Sequence, residues 1–262
     1  MAKLQDNLDS YDRSIPSFLA DEHIDSTDHY LAVHGASLPA SVFPGGSSSA
    51  LPDGRDINTS AESVFRLRRD VDPERHIPML DESREIASID GKPANGRDID
   101  APATFSGAFS GGLALVSKAE QACMRYTLEP IRPGRPIVVR FVSVPAQQRP
   151  KQCILAEDGS GQVAIDPASM QIVKIEVNVP RHVLIPRSRD GRTSPPVYTR
   201  WKVQVDLKPV VLDAHTFWLP AKISSVSSTE QEDWSFVATY RNYHLLQVHS
   251  RILIPSGASE KP

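Results

Sequence analysis

Trp201-Lys202-Val203-Gln204-Val205-Asp206-Leu207-Lys208, Phe217-Trp218-Leu219-Pro220-Ala221-Lys222-Ile223 and Trp234-Ser235-Phe236-Val237-Ala238-Thr239-Tyr240-Arg241 follow one another in the last quarter of the chain. In the first, Trp201, Val203, Val205 and Leu207 alternate with Lys202, Gln204, Asp206 and Lys208. A period of two places alternate residues on opposite faces of a strand. These runs, with Leu246, Val248, Ser250 and Ile252 as a last one, predict long antiparallel strands with one buried and one wet face. Asp213-Ala214-His215 breaks the pattern between two of them.

Upstream, Val173, Ile175, Val177 and Val179 oppose Lys174, Glu176 and Asn178, which predicts a strand over 171–179. Asp166-Pro167-Ala168-Ser169 reads as a turn leading back to a strand over 162–165. Further strands are expected over 152–157, 137–144, 125–130, 82–89, 63–71 and 18–26, with Asp90-Gly91 as a tight turn. Arg66, Arg68 and Arg69 read as the solvated face of an edge strand, where charge deters aggregation.

Two segments have a helical period. Leu4, Leu8, Tyr11 and Ile15 form one stripe over 3–15, and Pro16 stops it. Phe105, Phe109, Leu113, Val116 and Cys123 form another over 105–123, with Ala108, Ala114, Ala119 and Ala122 beside it. Gly111-Gly112 weakens that helix by about 1 kcal/mol per glycine. Its apolar stripe predicts that it lies in the concavity of the sheet. Residues 34–60 and 181–197, rich in proline, glycine, serine or arginine, read as long loops.

A length of 262 residues, 40% hydrophobic and 23% charged, suits a folded chain with one large β-rich domain or two small ones. A net charge of −3 gives no general pull toward nucleic acid or anionic membranes. The 22 prolines against 14 glycines point to punctuated strands and ordered loops. No apolar run approaches the roughly 20 residues of a membrane-spanning helix. Met1-Ala2-Lys3-Leu4 lacks the apolar core of a leader, so the residues alone read as cytoplasmic or as a chain beginning after its leader. Cys123 and Cys153 allow one bridge or two buried thiols, and the residues leave that open.

Chemistry-bearing motifs are sparse. The eight histidines fall at no zinc spacing, and no metal or cofactor is expected. Gly159-Ser160-Gly161 lacks the third glycine and the helix of a dinucleotide loop. The adjacent carboxylates Asp21/Glu22 and Glu232/Asp233 point apart in a strand and read as solvated charge. Trp201, Phe217, Trp218, Trp234, Phe236, Tyr240 and Tyr243 either line an apolar groove or fill a core.

The stretches Asp158-Gly159-Ser160-Gly161-Gln162-Val163-Ala164-Ile165-Asp166-Pro167, Phe217 to Ile223 and Trp234 to Tyr243 resemble a group of acidobacterial secreted proteins. The order of elements is similar to the outer-membrane lipoprotein carrier fold, the LolA/LolB-like and RseB-like group. The shared features are an N-terminal helix, long antiparallel strands, an inserted helical segment and the hairpin at Ile165-Asp166-Pro167. The resemblance implies an α+β, mostly antiparallel chain: a strongly curved half-barrel sheet with helices on its concave face. Residues 1–257 would form a single LolA-like domain, with 258–262 as a tail. It implies a non-enzymatic envelope protein, periplasmic or secreted, binding a lipid or a lipidated or hydrophobic partner in an apolar cleft. Wall candidates are Leu113, Val139, Phe141, Val203, Val205, Phe217 and Phe236. The alternatives are a structural or regulatory interaction module with a self-filled core, and a hydrolase of unrecognised type. The resemblance also favours the bridge between Cys123 and Cys153, through export to an oxidising compartment.

Overall fold

A computed structural model describes residues 6, 10, 11, 14–30, 56–71, 78–94, 107–184, 197–229 and 232–246. Its strands are β1 (Phe18–Tyr30), β2 (Asp56–Val71), β3 (Pro78–Ile89), β4 (Lys92–Pro93), β5 (Met124–Leu128), β6 (Ile137–Ser143), β7 (Ser160–Ile165), β8 (Ile172–Leu184), β9 (Val197–Leu212), β10 (His215–Ser228) and β11 (Glu232–Leu245). All join one antiparallel sheet in the order β4-β3-β2-β1-β11-β10-β9-β8-β7-β6-β5. Chain order and sheet order agree except where β1 pairs with β11, which joins the start of the chain to its end.

The sheet is curved and unclosed. One helix, α1 (Ala108–Ala114), touches β3 and also β8, β9 and β10. In a flat sheet β3 and β8 would stand about 29 Å apart, six spacings of 4.7–4.9 Å. The seven residues of α1 cover only about 10 Å. The sheet must therefore bend to bring both regions to one short helix.

One face carries a continuous apolar cluster and is called the inner face below. Phe18, Ala20 and Ile24 of β1, Phe65 and Leu67 of β2, and Phe236 and Ala238 of β11 are at most 1% exposed. Val163, Ile175, Val205 and Ile223 continue the cluster across β7 to β10. The partners run Ala61–Ile24–Ala238–Ile223–Val205–Ile175–Val163–Val139 across eight strands. Each side chain rests on its neighbour in that row, which fixes the register, because a one-residue slip would turn the whole row to water.

Several sequence expectations need correction. The helix expected over 105–123 is only α1, followed by a 3₁₀ turn at Lys118–Glu120. Gly111-Gly112 leaves little intrinsic helicity, and Ser117 is extended at φ −70 and ψ 165. Residues 152–157 form turns rather than a strand. Their carbonyls bind Arg149 instead of a neighbouring strand, with Ala156 O accepting at 2.5 Å. β2 is not an edge but lies between β1 and β3. Arg66 pairs with Glu85, Arg68 with Asp70 and Asp81, and Arg69 donates to Ile15 O at 2.8 Å. Residues 56–60, expected as loop, belong to β2, and 181–184 belong to β8.

Of the expected N-terminal helix, Asp6, Ser10, Tyr11 and Ser14 are helical, and Tyr11 and Ile15 are buried. The rest of 3–13, the loop residues 31–55 and 185–196, Phe105, and the last run beyond Leu246 lie outside the described residues. The hairpin after Ile165 closes through Asp166 N–H to Gln171 O at 2.9 Å, with Met170 at φ 56.

Candidate functional site

The inner face changes character along the strands. The row from Ala61 to Val139 is aliphatic. One row on, Thr59, Ser26, Phe236, Ser225, Val203, Val177, Gly161 and Phe141 stand side by side. The next row is Ile57, Asp28, Trp234, Ser227, Trp201 and Val179. An apolar floor thus gives way to tryptophans, serines and one carboxylate at one end.

That end has unmet hydrogen-bonding capacity. Four buried side-chain atoms lack a hydrogen-bond partner among the described residues: Asp28 Oδ1, Arg66 Nε, Thr199 Oγ1 and Trp234 Nε1. Three of the four sit at this end of the inner face. Thr199 is 3% exposed and shares the strand parity of Trp201 and Val203. Asp28 lies directly opposite Trp234. A buried polar atom without a partner costs about 1–3 kcal/mol, so a concentration of three needs a reason. Burial pushes the Asp28 carboxyl above its usual range. Around these atoms, Trp234 stacks on Phe236 with centroids 6.1 Å apart. Trp201 Nε1–H donates to Ser225 Oγ at 3.1 Å, and the His182 ring lies 5.4 Å from the Trp201 ring. Glu157 holds His182 Nδ1 at 3.0 Å. Chemically this end offers an indole donor, a carboxyl acceptor and a hydroxyl of either kind to a polar group entering beside the apolar rows.

A second cluster lies deeper. Glu22 of β1 is fully buried, against its reading as solvated charge. Arg84 Nε donates to both carboxylate oxygens at 2.8 Å, Ser63 Oγ donates at 2.5 Å and Tyr240 OH at 2.7 Å. Arg84 also lies 5.2 Å from the centroid of the Phe65 ring. Burial, then the Glu22 charge, pushes the Tyr240 hydroxyl well up. This cluster ties β1, β2, β3 and β11 together. Its sequence signal is parity: Phe18, Ala20, Ile24 and Ser26 all face inward, so Glu22 must too.

α1 is held at its start by a third carboxylate. Glu82 of β3 accepts Gly107 N–H at 2.8 Å and Ser110 N–H at 2.6 Å. At its far end the chain turns into the Cys123–Cys153 disulfide, with Cα atoms 5.8 Å apart. Between these anchors Phe109 is fully buried and Leu113 nearly so.

Of the wall candidates, Leu113, Val139, Phe141, Val203, Val205 and Phe236 are all in the buried cluster. Val139 and Val205 share one row, and Phe141, Val203 and Phe236 the next. Phe217 stands apart opposite Val210, half-buried against the same cluster. Beside Leu113 is a cavity of about 10 Å³, lined also by Tyr11, Leu207 and Trp218, at the lower limit for one water. The outer face of β6 to β10 bears an open groove of about 690 Å³ along Arg140, Gln162, Glu176, Gln204 and Ser224. Sequence reasoning named Trp234 and Tyr240 as groove or core aromatics but missed Asp28 and Thr199 at the same end as the one and Glu22 and Arg84 beside the other.

No protein-family model matches the chain, and no curated protein matches it by sequence. Two crystal structures are similar in overall path. One is a domain named for outer membrane lipoprotein sorting, from Vibrio parahaemolyticus, at 10% identity and TM-score 0.38, covering 95% of this chain and 93% of that one. The other is a DUF1329 family protein from Desulfovibrio piger ATCC 29098, at 9% identity and TM-score 0.35, covering 93% and 90%. Likeness at this level does not bear on function.

Proposed function

We propose that this chain is a non-enzymatic envelope protein that binds an amphiphile, a lipid or a lipidated partner, between the inner face and α1. The observation that carries the reading is the change along that face from the aliphatic row to the Asp28, Thr199 and Trp234 end. The aliphatic row from Ala61 to Val139 suits an acyl chain, and the Asp28, Thr199 and Trp234 atoms, without a partner among the described residues, suit its polar head. In this reading α1 lies in the hollow of the sheet and stands in for the ligand. Phe109 and Leu113 occupy the space an acyl chain would take. Burying those two side chains contributes about 1.5–3 kcal/mol each, while ten methylenes of a ligand would contribute about 8 kcal/mol. A seven-residue helix has little stability of its own, so exchange of one for the other is feasible. Residues 1–257 would act as a single domain. The disulfide supports a periplasmic or secreted location, because such bridges persist in oxidising compartments.

A second reading draws on the close packing beside Leu113, where only about 10 Å³ is empty. There the core is permanently self-filled and the chain is a structural or regulatory interaction module. One experiment separates the two. Native mass spectrometry of the purified chain, with titration by a fluorescent fatty acid, should show co-purifying lipid or saturable uptake of one ligand per chain. A clean apo mass with no uptake refutes the amphiphile reading and leaves the module.

A further inference from the structure

We propose that the Cys123–Cys153 bridge is an exchangeable disulfide, opened by an external thiolate at Cys153, with the Glu120 carboxyl delivering a proton to the departing Cys123 sulfur. This does not depend on the amphiphile reading.

The geometry is asymmetric. Cys123 is 1% exposed, whereas Cys153 is half-buried and its neighbour Ile154 is 49% exposed. Cys153 is the more exposed residue of the pair, and the attack is assigned to its sulfur. A carboxylate oxygen of Glu120 and the two sulfurs all lie within 4.8 Å of one another. Glu120 is 4% exposed and makes no ion pair with a described residue. Its Oε2 accepts the Ile154 N–H at 3.1 Å, which aims the carboxyl at the bridge, and Cys123 N–H donates to Glu120 O at 2.9 Å. A neutral amide could brace Ile154 equally well. A carboxyl buried there adds the capacity to hold and give a proton.

The balance is simple. A dithiol reductant attacks Cys153 Sγ as its thiolate. A mixed disulfide forms, the Cys123–Cys153 bond breaks, and the electron pair leaves on Cys123 Sγ, which takes the Glu120 proton. The reductant's second thiol then attacks the mixed disulfide, closes its own disulfide and releases Cys153, which is protonated from water. Glu120 recovers its proton from solvent. Two electrons and two protons pass from the dithiol to the two cysteines.

The groups facing Glu120 limit what else can titrate. Tyr126 on β5 is pushed up to about 12, by burial first and the Glu120 charge second, so it stays neutral between pH 5 and 9. Lys118, in the same 3₁₀ turn, is exposed. Burial raises the Glu120 carboxyl above its ordinary value, against the opposing Ile154 N–H.

The test is the rate of disulfide reduction by dithiothreitol in the full chain, followed by alkylation and intact mass, and divided by the dithiothreitol thiolate concentration. In the native chain this normalised rate should fall by about tenfold as pH rises and Glu120 ionises. In Glu120→Gln it should be flat. Parallel profiles would overturn the proposal. A second measurement does not need the Glu120 variant to fold. Cys123→Ser and Cys153→Ser each leave one thiol, and the Cys153 thiol should react with an aromatic disulfide at least about tenfold faster. Equal rates would overturn the assignment of Cys153 as the site of attack.

Discussion

Replacing Arg84 by methionine should cost about 3–5 kcal/mol, a large share of the 5–15 kcal/mol that usually separates folded from unfolded chains. The Arg84 side chain is 4% exposed and that of Glu22 is 0% exposed. Methionine fills a similar length of space, so cavity formation contributes little. The loss arises instead from a buried carboxylate left with two neutral donors, Ser63 Oγ and Tyr240 OH. It also removes the contact between the guanidinium and the Phe65 ring. The native pair is not itself a large source of stability, because both charges gave up water to enter the sheet. The prediction therefore concerns a stranded charge. Glu22→Gln with Arg84→Met should be clearly milder than the sum of the single variants. The assay is urea unfolding at pH 7, read by tryptophan fluorescence. With a slope of about 2–3 kcal/mol per molar, Arg84→Met should lower the midpoint by about 1–2.5 M. A loss below about 1 kcal/mol, or additive single variants, would refute the reasoning.

Gly161→Ala should destabilise by at least about 2 kcal/mol, since its Cβ would lie 2.0 Å from Glu176 O and 2.4 Å from Phe141 Cζ, where backbone cannot yield; a thermal melt within about 1 °C of native would contradict this. Asp28→Asn should stabilise the chain with a definite pH dependence. The folded carboxyl is raised by burial, so the native chain keeps full stability below the unfolded value of about 3.9 and loses some as pH rises through the folded value. The variant should match the native melting temperature near pH 3 and exceed it at pH 7; a constant difference would count against burial as the cause. Glu82→Ala removes two acceptors from the start of α1 and should cost about 1–2 kcal/mol. On the amphiphile reading it should also speed uptake of the fluorescent fatty acid, and an unchanged rate would argue against displacement of α1.

The strands were legible because alternation is a local signal. Val203 and Val205, or Phe236 and Ala238, declare their face without knowledge of any neighbour. Which strand lies beside which is not local. Arg66 and Arg68 read as edge charges, yet β2 is covered by β1 and β3, and the arginines meet Glu85, Asp70 and Asp81 on the outer face. The partners of Glu22 were invisible for the same reason: Arg84 is 62 residues from Glu22 and Tyr240 is 218 residues away. The helix failed differently. Its stripe was genuine for Phe109 and Leu113, but a stripe shows which side would be buried and not how far the helix extends. Two central glycines shorten it.

Parity nevertheless carried more than it was asked for. Once Ile24, Val203 and Phe236 are assigned to the inner face, Asp28, Thr199 and Trp234 must follow, because each differs from one of them by an even number of positions. The chain thus places polar atoms on its buried face twice. At Glu22 every partner is supplied from within, which binds four strands into one unit. At Asp28, Thr199 and Trp234 three buried atoms find no partner among the described residues. If both polar groups served only to define the fold, both should be satisfied, since a partly satisfied network weakens a core more than apolar filling would. The contrast places a satisfied polar network at one level of the sheet and an unmet demand at another, and on the amphiphile reading the polar head of the ligand answers that demand.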